Sequence, residues 1–250
     1  MYPFRTALVT GASSGIGEAM ARRLAADGVK VIVVARRGER LQRIADDFPD
    51  TEVFVADLSD AAEVARVASR AESVDLLVNN AGYGVHGRTI DAVAGAYDGQ
   101  IAVNVGAVVE LSRAAASAMA ARGKGWILNV SSVAGGLPTP SDAAYGASKA
   151  FVTSYSDALG MECRPLGVTV TALLPGYTHS EFHEVANSPT VPGKPAVAWM
   201  SADAVAKIAL ADTAAGRVRS IPGWFNKVAV LISRYAPAGL IRYGMTRDRT

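Results

Sequence analysis

Two side chains are spaced so that together they could transfer a proton. Tyr145 and Lys149 stand four residues apart in the segment YGASK, and on a helix this spacing puts both on one face. A free tyrosine has a pKa of about 10 and is a poor acid or base at neutral pH. An ammonium group within about 4–6 Å favours the phenolate, so Lys149 is expected to lower the pKa of Tyr145. The spacing alone is common by chance and would favour an exposed pair on a helix surface.

A pair of serines is the second candidate for chemistry. Ser131 and Ser132 follow the apolar run 126–130, and Ser132 lies 13 residues before Tyr145. Because such a run is typical of a strand, both serines are predicted at its carboxyl end, where ligands of open α/β sheets bind. Ser132 and Tyr145 are therefore predicted to share one site.

A glycine-rich segment, TGASSGIG over residues 10–17, lies between the first strand-like run and the first helical pattern. In that position Gly11 can make the tight turn, Gly15 lets the backbone approach a pyrophosphate, and Gly17 permits close packing of helix on strand. The helix N-terminus then offers unpaired N–H groups to phosphates. A tight turn without a ligand is the alternative, and the strand–turn–helix context favours dinucleotide binding.

The end of the second strand-like run carries arginines where an acidic residue would select NAD. An acid at that point binds the ribose 2′-hydroxyl, but no acid occurs between Val31 and Gly38, and Arg36 and Arg37 stand there instead. Guanidinium groups can bind a 2′-phosphate through two hydrogen bonds. We therefore expect NADP(H) to be preferred, with NAD(H) possible and Arg36 as the main contact. Two solvated arginines at a helix start are the alternative.

The elements that must position these residues alternate along the chain. Apolar runs occur at 7–10, 31–34, 53–55, 76–78, 126–130 and 168–173, and longer helical patterns include 103–121, 145–163 and 201–215. Asp60 and Glu63 have the spacing of a capping box at a helix start. The runs are continuously apolar, which indicates strands covered on both faces. The pattern predicts an α/β fold with a doubly wound parallel sheet.

Composition limits the class of protein. Half of the 250 residues are hydrophobic, which excludes a disordered chain, and a net charge of +2 gives little reason to expect a nucleic-acid partner. Cys163 is the only cysteine, which excludes an intrachain disulfide and a cysteine-based zinc site. We see no signal-like N-terminal segment and no apolar stretch of about 18–20 residues, so a cytoplasmic protein is expected.

Together these motifs resemble the short-chain dehydrogenase/reductase family over residues 5–220. The resemblance depends on segments in family order, which are TGASSGIG, Asp57-Leu58, NNAG at 79–82, Asn104, Ser132, Tyr145 with Lys149, and PGYT at 175–178. It implies a three-layer Rossmann fold whose mostly parallel seven-stranded sheet has helices on both faces. It also implies one oxidoreductase domain over 1–250, with a substrate lid near 178–202 and an apolar C-terminal extension near 221–250.

The resemblance implies a catalytic role for four residues. Tyr145 would donate a proton to the substrate carbonyl, and Ser132 would hydrogen-bond the same oxygen. Lys149 would lower the pKa of the tyrosine and hold the nicotinamide ribose. Asn104 would position a water that joins Lys149 to a proton relay.

The resemblance also implies a set of cofactor contacts. Asp57 and Leu58 would lie beside the adenine, and Thr178 would meet the nicotinamide carboxamide. For Asn79, a structural role in the central sheet is as good an interpretation as a cofactor contact. The predicted cofactor-binding residues are Gly11, Ser13, Ser14, Gly15, Ile16, Gly17, Arg36, Asp57, Leu58, Asn80, Ala81, Gly82, Tyr145, Lys149, Pro175, Gly176 and Thr178.

A metal site is not predicted. His179 and His183 are four residues apart, with Glu181 and Glu184 between and beside them, and two histidines on one helical face can bind zinc. No third ligand is identifiable, and the family that the chain resembles needs no metal.

The lid and the C-terminal region are rich in large apolar residues, and the segment 133–138 carries no charge. The large apolar residues suit either an apolar substrate pocket or a subunit interface. Because the segment 133–138 is uncharged and borders the substrate in the family that the chain resembles, a hydrophobic ketone or aldehyde is the expected substrate. A membrane-surface helix within 224–243 is disfavoured because Pro237 interrupts it. The large apolar residues are Phe182, Val191, Val197, Trp199, Trp224 and Phe225.

The predicted function is hydride transfer between NADP(H) and a carbonyl or alcohol carbon, in the direction of reducing an apolar ketone or aldehyde. The alternatives are an NAD-dependent dehydrogenase of a polar alcohol and a non-catalytic NADPH-binding sensor. The expected partners are a small-molecule substrate and further copies of the chain. The family resemblance implies a homodimer or homotetramer formed through the helices 103–121 and 145–163, and Phe151 and Tyr155 on a second face of the latter suit outward packing.

Overall fold

The computed structural model describes residues 2–181, 199–236 and 239. Strands and helices alternate within these residues, as the apolar runs and helical patterns predict. The strands are β1 (Thr6–Thr10), β2 (Lys30–Ala35), β3 (Thr51–Val55), β4 (Leu76–Asn79), β5 (Gly125–Val130), β6 (Val168–Leu173), β7 (Tyr177–His179), β8 (Trp199–Ser201) and β9 (Arg219–Ser220). The helices are α1 (Gly15–Ala26), α2 (Gly38–Asp47), α3 (Ala61–Ala71), α4 (Asp98–Ile101), α5 (Val108–Arg122), α6 (Ala143–Cys163), α7 (Ala202–Ala214) and α8 (Trp224–Tyr235).

Seven strands form one parallel sheet in the order β3-β2-β1-β4-β5-β6-β9, which confirms the predicted fold class. The chain runs outward from β1 to β3 on one side and from β4 on the other. This reversal opens a crevice at the carboxyl ends of β1 and β4, where ligands of such sheets bind. Strands β7 and β8 pair with each other, outside this sheet.

Alternate residues of each strand enter two separate cores, which explains why the runs are continuously apolar. Leu8 and Leu77 face a core that contains Leu111 of α5, whereas Val9 and Val78 face a core that includes residues of α1, α2 and α7. The sheet is therefore covered on both faces. Helix α3 begins where the capping pattern predicts, because the Asp60 carboxylate accepts hydrogen bonds from the backbone N–H groups of Ala62 (2.7 Å) and Glu63 (3.3 Å).

The helical pattern 103–121 is only partly a regular α-helix. Residues Ala102–Ala107 form a π-helical segment between α4 and α5, and Asn104 lies within it. Such segments often occur at functional sites. The run Asp98–Arg122 has 25 residues, and its most apolar window of 18 residues has a mean hydropathy of 1.2, so by length and composition it could cross a membrane, contrary to the sequence-based expectation. Half of its most apolar window is buried in the protein, and α5 packs against β4 and β5, as expected of a core helix.

Candidate active site

A cavity of about 660 Å³ follows the carboxyl edge of the sheet. Its walls contain every predicted cofactor-binding residue except Gly17, together with Ser132, and Asn104 lies buried behind it. Predicted residues up to 167 positions apart are thus brought to one edge by the parallel strands. The predicted residues that line the cavity are Gly11, Ser13, Ser14, Gly15, Ile16, Arg36, Asp57, Leu58, Asn80, Ala81, Gly82, Ser132, Tyr145, Lys149, Pro175, Gly176 and Thr178.

The glycine-rich turn needs its glycines for different reasons. Gly11 has a φ of 65°, and a Cβ at this residue would lie 2.8 Å from the Cα of Ala81. A Cβ on Gly17 would lie 2.4 Å from the Gly11 carbonyl oxygen, so Gly17 allows helix α1 to approach the turn, as predicted. Ser14 precedes α1 but its side chain does not cap the helix. The first N–H groups of α1 therefore point to the cavity end without a side-chain acceptor from Ser14.

Asn79 and Asn80, at the end of β4 and directly after it, make different contacts. The Asn80 amide donates hydrogen bonds to the carbonyl oxygens of Thr10 (2.9 Å) and Gly11 (3.3 Å), so it fixes the glycine-rich turn. Asn79 is buried, and its amide nitrogen donates to Asn129 (2.8 Å) and to the hydroxyl of Ser112 (2.9 Å). Asn79 does not line the cavity, so the structural interpretation applies to it.

The two arginines after β2 point to different places. Arg36 has an exposed side chain whose Nη1 is 3.8 Å from the Asp57 carboxylate. Arg37 turns back to the glycine-rich turn, where its Nη2 donates to the hydroxyls of Ser13 (3.0 Å) and Ser14 (2.9 Å). Arg36 was predicted as the main contact, but the residue in contact with the glycine-rich turn is Arg37.

Ser132 and Tyr145 meet at the cavity wall. The Ser132 hydroxyl oxygen accepts a hydrogen bond from the Ala134 N–H (3.1 Å), and Ser132 and Tyr145 both line the cavity. Burial raises the pKa of Tyr145 to about 12, against the lowering effect of Ser132, and the Asp142 carboxylate adds to the rise. Burial is the largest influence on this pKa, and the prediction that Lys149 lowers it stays a prediction.

Lys149 is held away from solvent by the fifth strand. Its Nζ donates to the Val130 carbonyl oxygen at 2.9 Å and lies 5.8 Å from the centre of the Tyr145 ring. The side chain is only 4% exposed, and burial lowers the pKa of Lys149 to about 8. A lysine in this state can lose or hold a proton close to neutral pH.

Asn104 joins the loop after β4 to helix α6. Its Oδ1 accepts the Tyr83 N–H (3.1 Å), and its Nδ2 donates to the Tyr83 carbonyl (2.9 Å) and to the Ser148 hydroxyl (3.1 Å). A Cβ on Gly82 would lie 3.0 Å from Asn104 Oδ1 and 3.2 Å from Lys149 Nζ. The bare backbone of Gly82 therefore separates these two groups. The water that Asn104 would position stays a prediction.

The other end of the cavity is formed mainly by apolar residues. Val133, Ala134 and Leu137 of the predicted apolar segment line it, as does Phe225 of α8. The Thr178 hydroxyl donates to the Gly176 carbonyl at 3.1 Å. Asp142, Asn226 and Ala229 also line this end and are not among the predicted site residues, because no local pattern distinguishes them. Tyr177 lines it too; it stands in the PGYT segment but was not predicted as a site residue.

Several predictions for the lid fall on residues that the structure does not describe. Outside the described residues lie Phe182, His183, Glu184, Val191 and Val197. The predicted extension near 221–250 is described as far as Ala236 and again at residue 239. Trp199 stacks on His179 at 4.9 Å between ring centres, and Trp224 is exposed. Among residues 2–181, 199–236 and 239, no group of three potential metal ligands occurs.

Comparisons with known proteins agree with this geometry. A family model described as short chain dehydrogenase matches residues 5–190. The chain is 38% identical over 188 residues to nodulation protein G of Rhizobium sp. (strain N33), an alignment that covers 73% of this chain and 77% of that protein.

Solved structures are similar over nearly the whole chain. A short-chain dehydrogenase from Sphingobium yanoikuyae in complex with NADPH has a TM-score of 0.83 and 32% identity, covering 98% of this chain and 96% of that one. A bulky-bulky ketone specific alcohol dehydrogenase from Comamonas testosteroni has a TM-score of 0.78 and 31% identity, covering 98% of this chain and 95% of that one.

Proposed function

The chain belongs to the short-chain dehydrogenase family, and from this premise we propose that it reduces an apolar ketone or aldehyde with NADPH. The family makes it an NAD(P)-dependent oxidoreductase that acts on CH–OH or C=O groups. The observation that carries the proposal is that Ser132, Tyr145 and Lys149 line the same cavity as the glycine-rich turn.

The residues of the cavity fit a nicotinamide cofactor. Gly82 leaves open the space beside Lys149 Nζ that a Cβ would fill, and the N-terminus of α1 faces the cavity without a side-chain cap from Ser14. The turn at 11–17 would hold the pyrophosphate, Asp57 and Leu58 the adenosine, and Lys149 the nicotinamide ribose. When bound, such a cofactor supplies a hydride donor or acceptor.

The proton comes from the chain's own side chains. Ser132 and Tyr145 both bind the carbonyl oxygen of the substrate, and Tyr145 donates its hydroxyl proton as negative charge develops on that oxygen. A hydroxyl whose pKa is about 12 is protonated at neutral pH, so it is available as an acid. This supports reduction as the working direction. Asn104 is a positioning residue, because it joins Tyr83 to Ser148 without reaching the substrate side of the cavity.

The substrate end supports an apolar carbonyl compound. Val133, Leu137 and Phe225 give it apolar walls, while Asp142, which is bonded to His86 at 2.9 Å, adds a charge at its margin. A ketone with bulky apolar substituents fits such a wall better than a sugar or an acid does. The ketone-specific relative named above agrees with this choice.

Two cofactor-side arginines support NADPH over NADH. Arg36 and Arg37 both line the cavity, and Arg37 reaches the glycine-rich turn. Guanidinium groups bind a 2′-phosphate well, whereas an NAD site has an acid at this position. The NADPH-bound relative is consistent with this preference.

We also propose a homodimer or homotetramer in the cytoplasm. Phe151 and Ile101 are 41% and 49% exposed on the helices that flank the sheet, and Phe151 stacks on Tyr155 at 5.8 Å. Apolar rings on an outer helix face suit contact with a second copy. Light scattering of the purified chain should give twice or four times the monomer mass, and a monomer would contradict this part.

The test of function is oxidation of NADPH and of NADH, followed by absorbance, with apolar ketones, aldehydes, 3-oxoacyl thioesters and sugars. We expect turnover of the apolar ketones and aldehydes, with NADPH the faster cofactor. Equal or faster rates with NADH would overturn the cofactor preference but not the mechanism. Turnover of sugars alone would overturn the substrate class.

A further inference from the structure

A carboxylate forms ion pairs with two arginines at the cofactor end of the cavity. Glu181, two residues after β7, lines the cavity and reaches across to helix α2. Its Oε2 lies 2.9 Å from Arg37 Nη1, and its Oε1 lies 2.5 Å from Arg40 Nη1. Both of its oxygens are thus paired with guanidinium groups from a part of the chain more than 140 residues away.

Both partners of the Glu181 contact lie beside the glycine-rich turn. Residue Ser180 lies over the glycine-rich turn, because a Cβ on Gly15 would come within 3.0 Å of the Ser180 Cβ. On the other side, Arg37 is anchored to the hydroxyls of Ser13 and Ser14. The carboxylate therefore meets the guanidinium groups directly beside the phosphate-binding turn.

The chemistry of this contact is that of a phosphate site. A carboxylate and a phosphate both offer two oxygens to a guanidinium group, so they compete for the same donors. The two arginines hold the pKa of Glu181 below its usual range, so the carboxylate is charged at neutral pH. Arg36, by contrast, contacts Asp57 and not Glu181.

We propose that Glu181 is a specificity-determining residue that competes with the 2′-phosphate of the cofactor for Arg37 and Arg40. This inference rests on the proposed function, because it deepens the expected choice of NADP(H). A ligand with a 2′-phosphate must displace the carboxylate, whereas a ligand without one leaves the contact in place. Glu181 therefore weakens the binding of ligands that carry a 2′-phosphate, relative to ligands without one.

The experiment measures binding of two probes that differ only in the 2′-phosphate, adenosine 2′,5′-bisphosphate and adenosine 5′-monophosphate, by calorimetry on the full chain. Because neither probe carries nicotinamide, the result does not depend on turnover. Glu181→Gln should tighten binding of the bisphosphate about three- to tenfold and change that of the monophosphate less than about twofold. Glu110→Gln, which removes a carboxylate paired with Arg113 on α5, is the matched control and should change neither.

The outcomes separate the inference from the proposed function. A wild-type preference for the bisphosphate that Glu181→Gln does not increase would overturn the role of Glu181 and leave the NADPH preference standing. No wild-type preference, with one gained in Glu181→Gln, would support Glu181 and overturn the NADPH preference. No preference in either protein would overturn both. In an Arg40→Gln background the gain from Glu181→Gln should shrink, and an undiminished gain would remove Arg40 from the account.

Discussion

The two ends of the cavity are built differently. At the proton-transfer end, Lys149 and Ser132 are 4% and 9% exposed, and each is tied to the backbone of the loop or strand beside it. At the cofactor-selecting end, the side chains of Arg36 and Arg37 are 69% and 43% exposed and are paired with other side chains. Buried contacts to the backbone fix one geometry, whereas exposed ion pairs contribute only about 0–1 kcal/mol each.

This difference predicts where a substitution has a large effect. Changes at the proton-transfer end should alter the rate by orders of magnitude, and changes at the cofactor-selecting end should alter affinity by small factors. The four predictions below test the contrast from its strongest side to its weakest.

Ser132→Ala should have the largest effect of the four. It removes the hydroxyl that we propose binds the developing oxyanion beside Tyr145, so kcat should fall about 10²–10³-fold. Steady-state kinetics at saturating NADPH would measure it, with Ser154→Ala on the exposed face of α6 as the control. A loss of kcat below about threefold would contradict the prediction that changes at the buried end alter the rate by orders of magnitude.

Lys149→Met should stabilise the folded protein. Burial lowers the pKa of Lys149 from 10.5 to about 8, so the unfolded chain binds this proton more tightly than the folded one. The penalty is complete below pH 8 and disappears as the pH rises through 10.5. We therefore expect a gain of about 1–3 kcal/mol in the free energy of unfolding at pH 7, reduced by loss of the bond to Val130.

Urea unfolding of both proteins at several pH values would measure this difference. The gain should shrink steadily above pH 8. A Lys149→Met protein that is less stable at pH 7 would show that the ammonium group is a net stabiliser of the folded chain, contrary to the prediction.

Gly82→Ala should disturb the buried end by a smaller amount. The new methyl group would lie 3.0 Å from Asn104 and 3.2 Å from Lys149, so both groups must move by a few tenths of an ångström. We expect about a tenfold loss of kcat. Gly84→Ala is the matched control, because its methyl group would meet the Tyr145 ring at an ordinary 3.5 Å. Equal effects of the two variants would contradict the separation of Asn104 from Lys149 by Gly82.

Substitution of the arginines should have the smallest effects. Arg37→Ala should weaken NADPH binding about three- to tenfold, and Arg36→Ala less than about threefold, because only Arg37 contacts the glycine-rich turn. Fluorescence titration with NADPH would measure both. A larger loss for Arg36 would restore the interpretation drawn from the sequence alone.

Much of this molecule could be predicted from local pattern. The apolar runs identified six strands of the sheet, the Asp60 cap identified the start of α3, and the cofactor-binding set lines one cavity with only Gly17 set behind it. These features depend on residues close together in the chain, or on the rule that parallel strands meet at one edge.

The remaining features depend on contacts between distant residues. The π-helical segment at Ala102–Ala107 places Asn104 where it bonds Tyr83, and a helical pattern contains no sign of it. The contact of Glu181 with Arg37 joins residues 144 positions apart. The pKa of Tyr145 depends on how deeply its ring is buried. The sequence spacing between Tyr145 and Lys149 does not indicate that depth. Strand β9, with two residues, is too short to give a pattern.

The most direct test of the account is Tyr145→Phe, with NADPH affinity and turnover measured on the same preparation. The substitution removes only the hydroxyl that donates the proton, and the ring keeps its place in the cavity wall. We predict that turnover of an accepted ketone falls by about 10³-fold while the Kd for NADPH changes less than about threefold. Turnover that survives in Tyr145→Phe, or binding lost together with turnover, would contradict the role of Tyr145 as the proton donor.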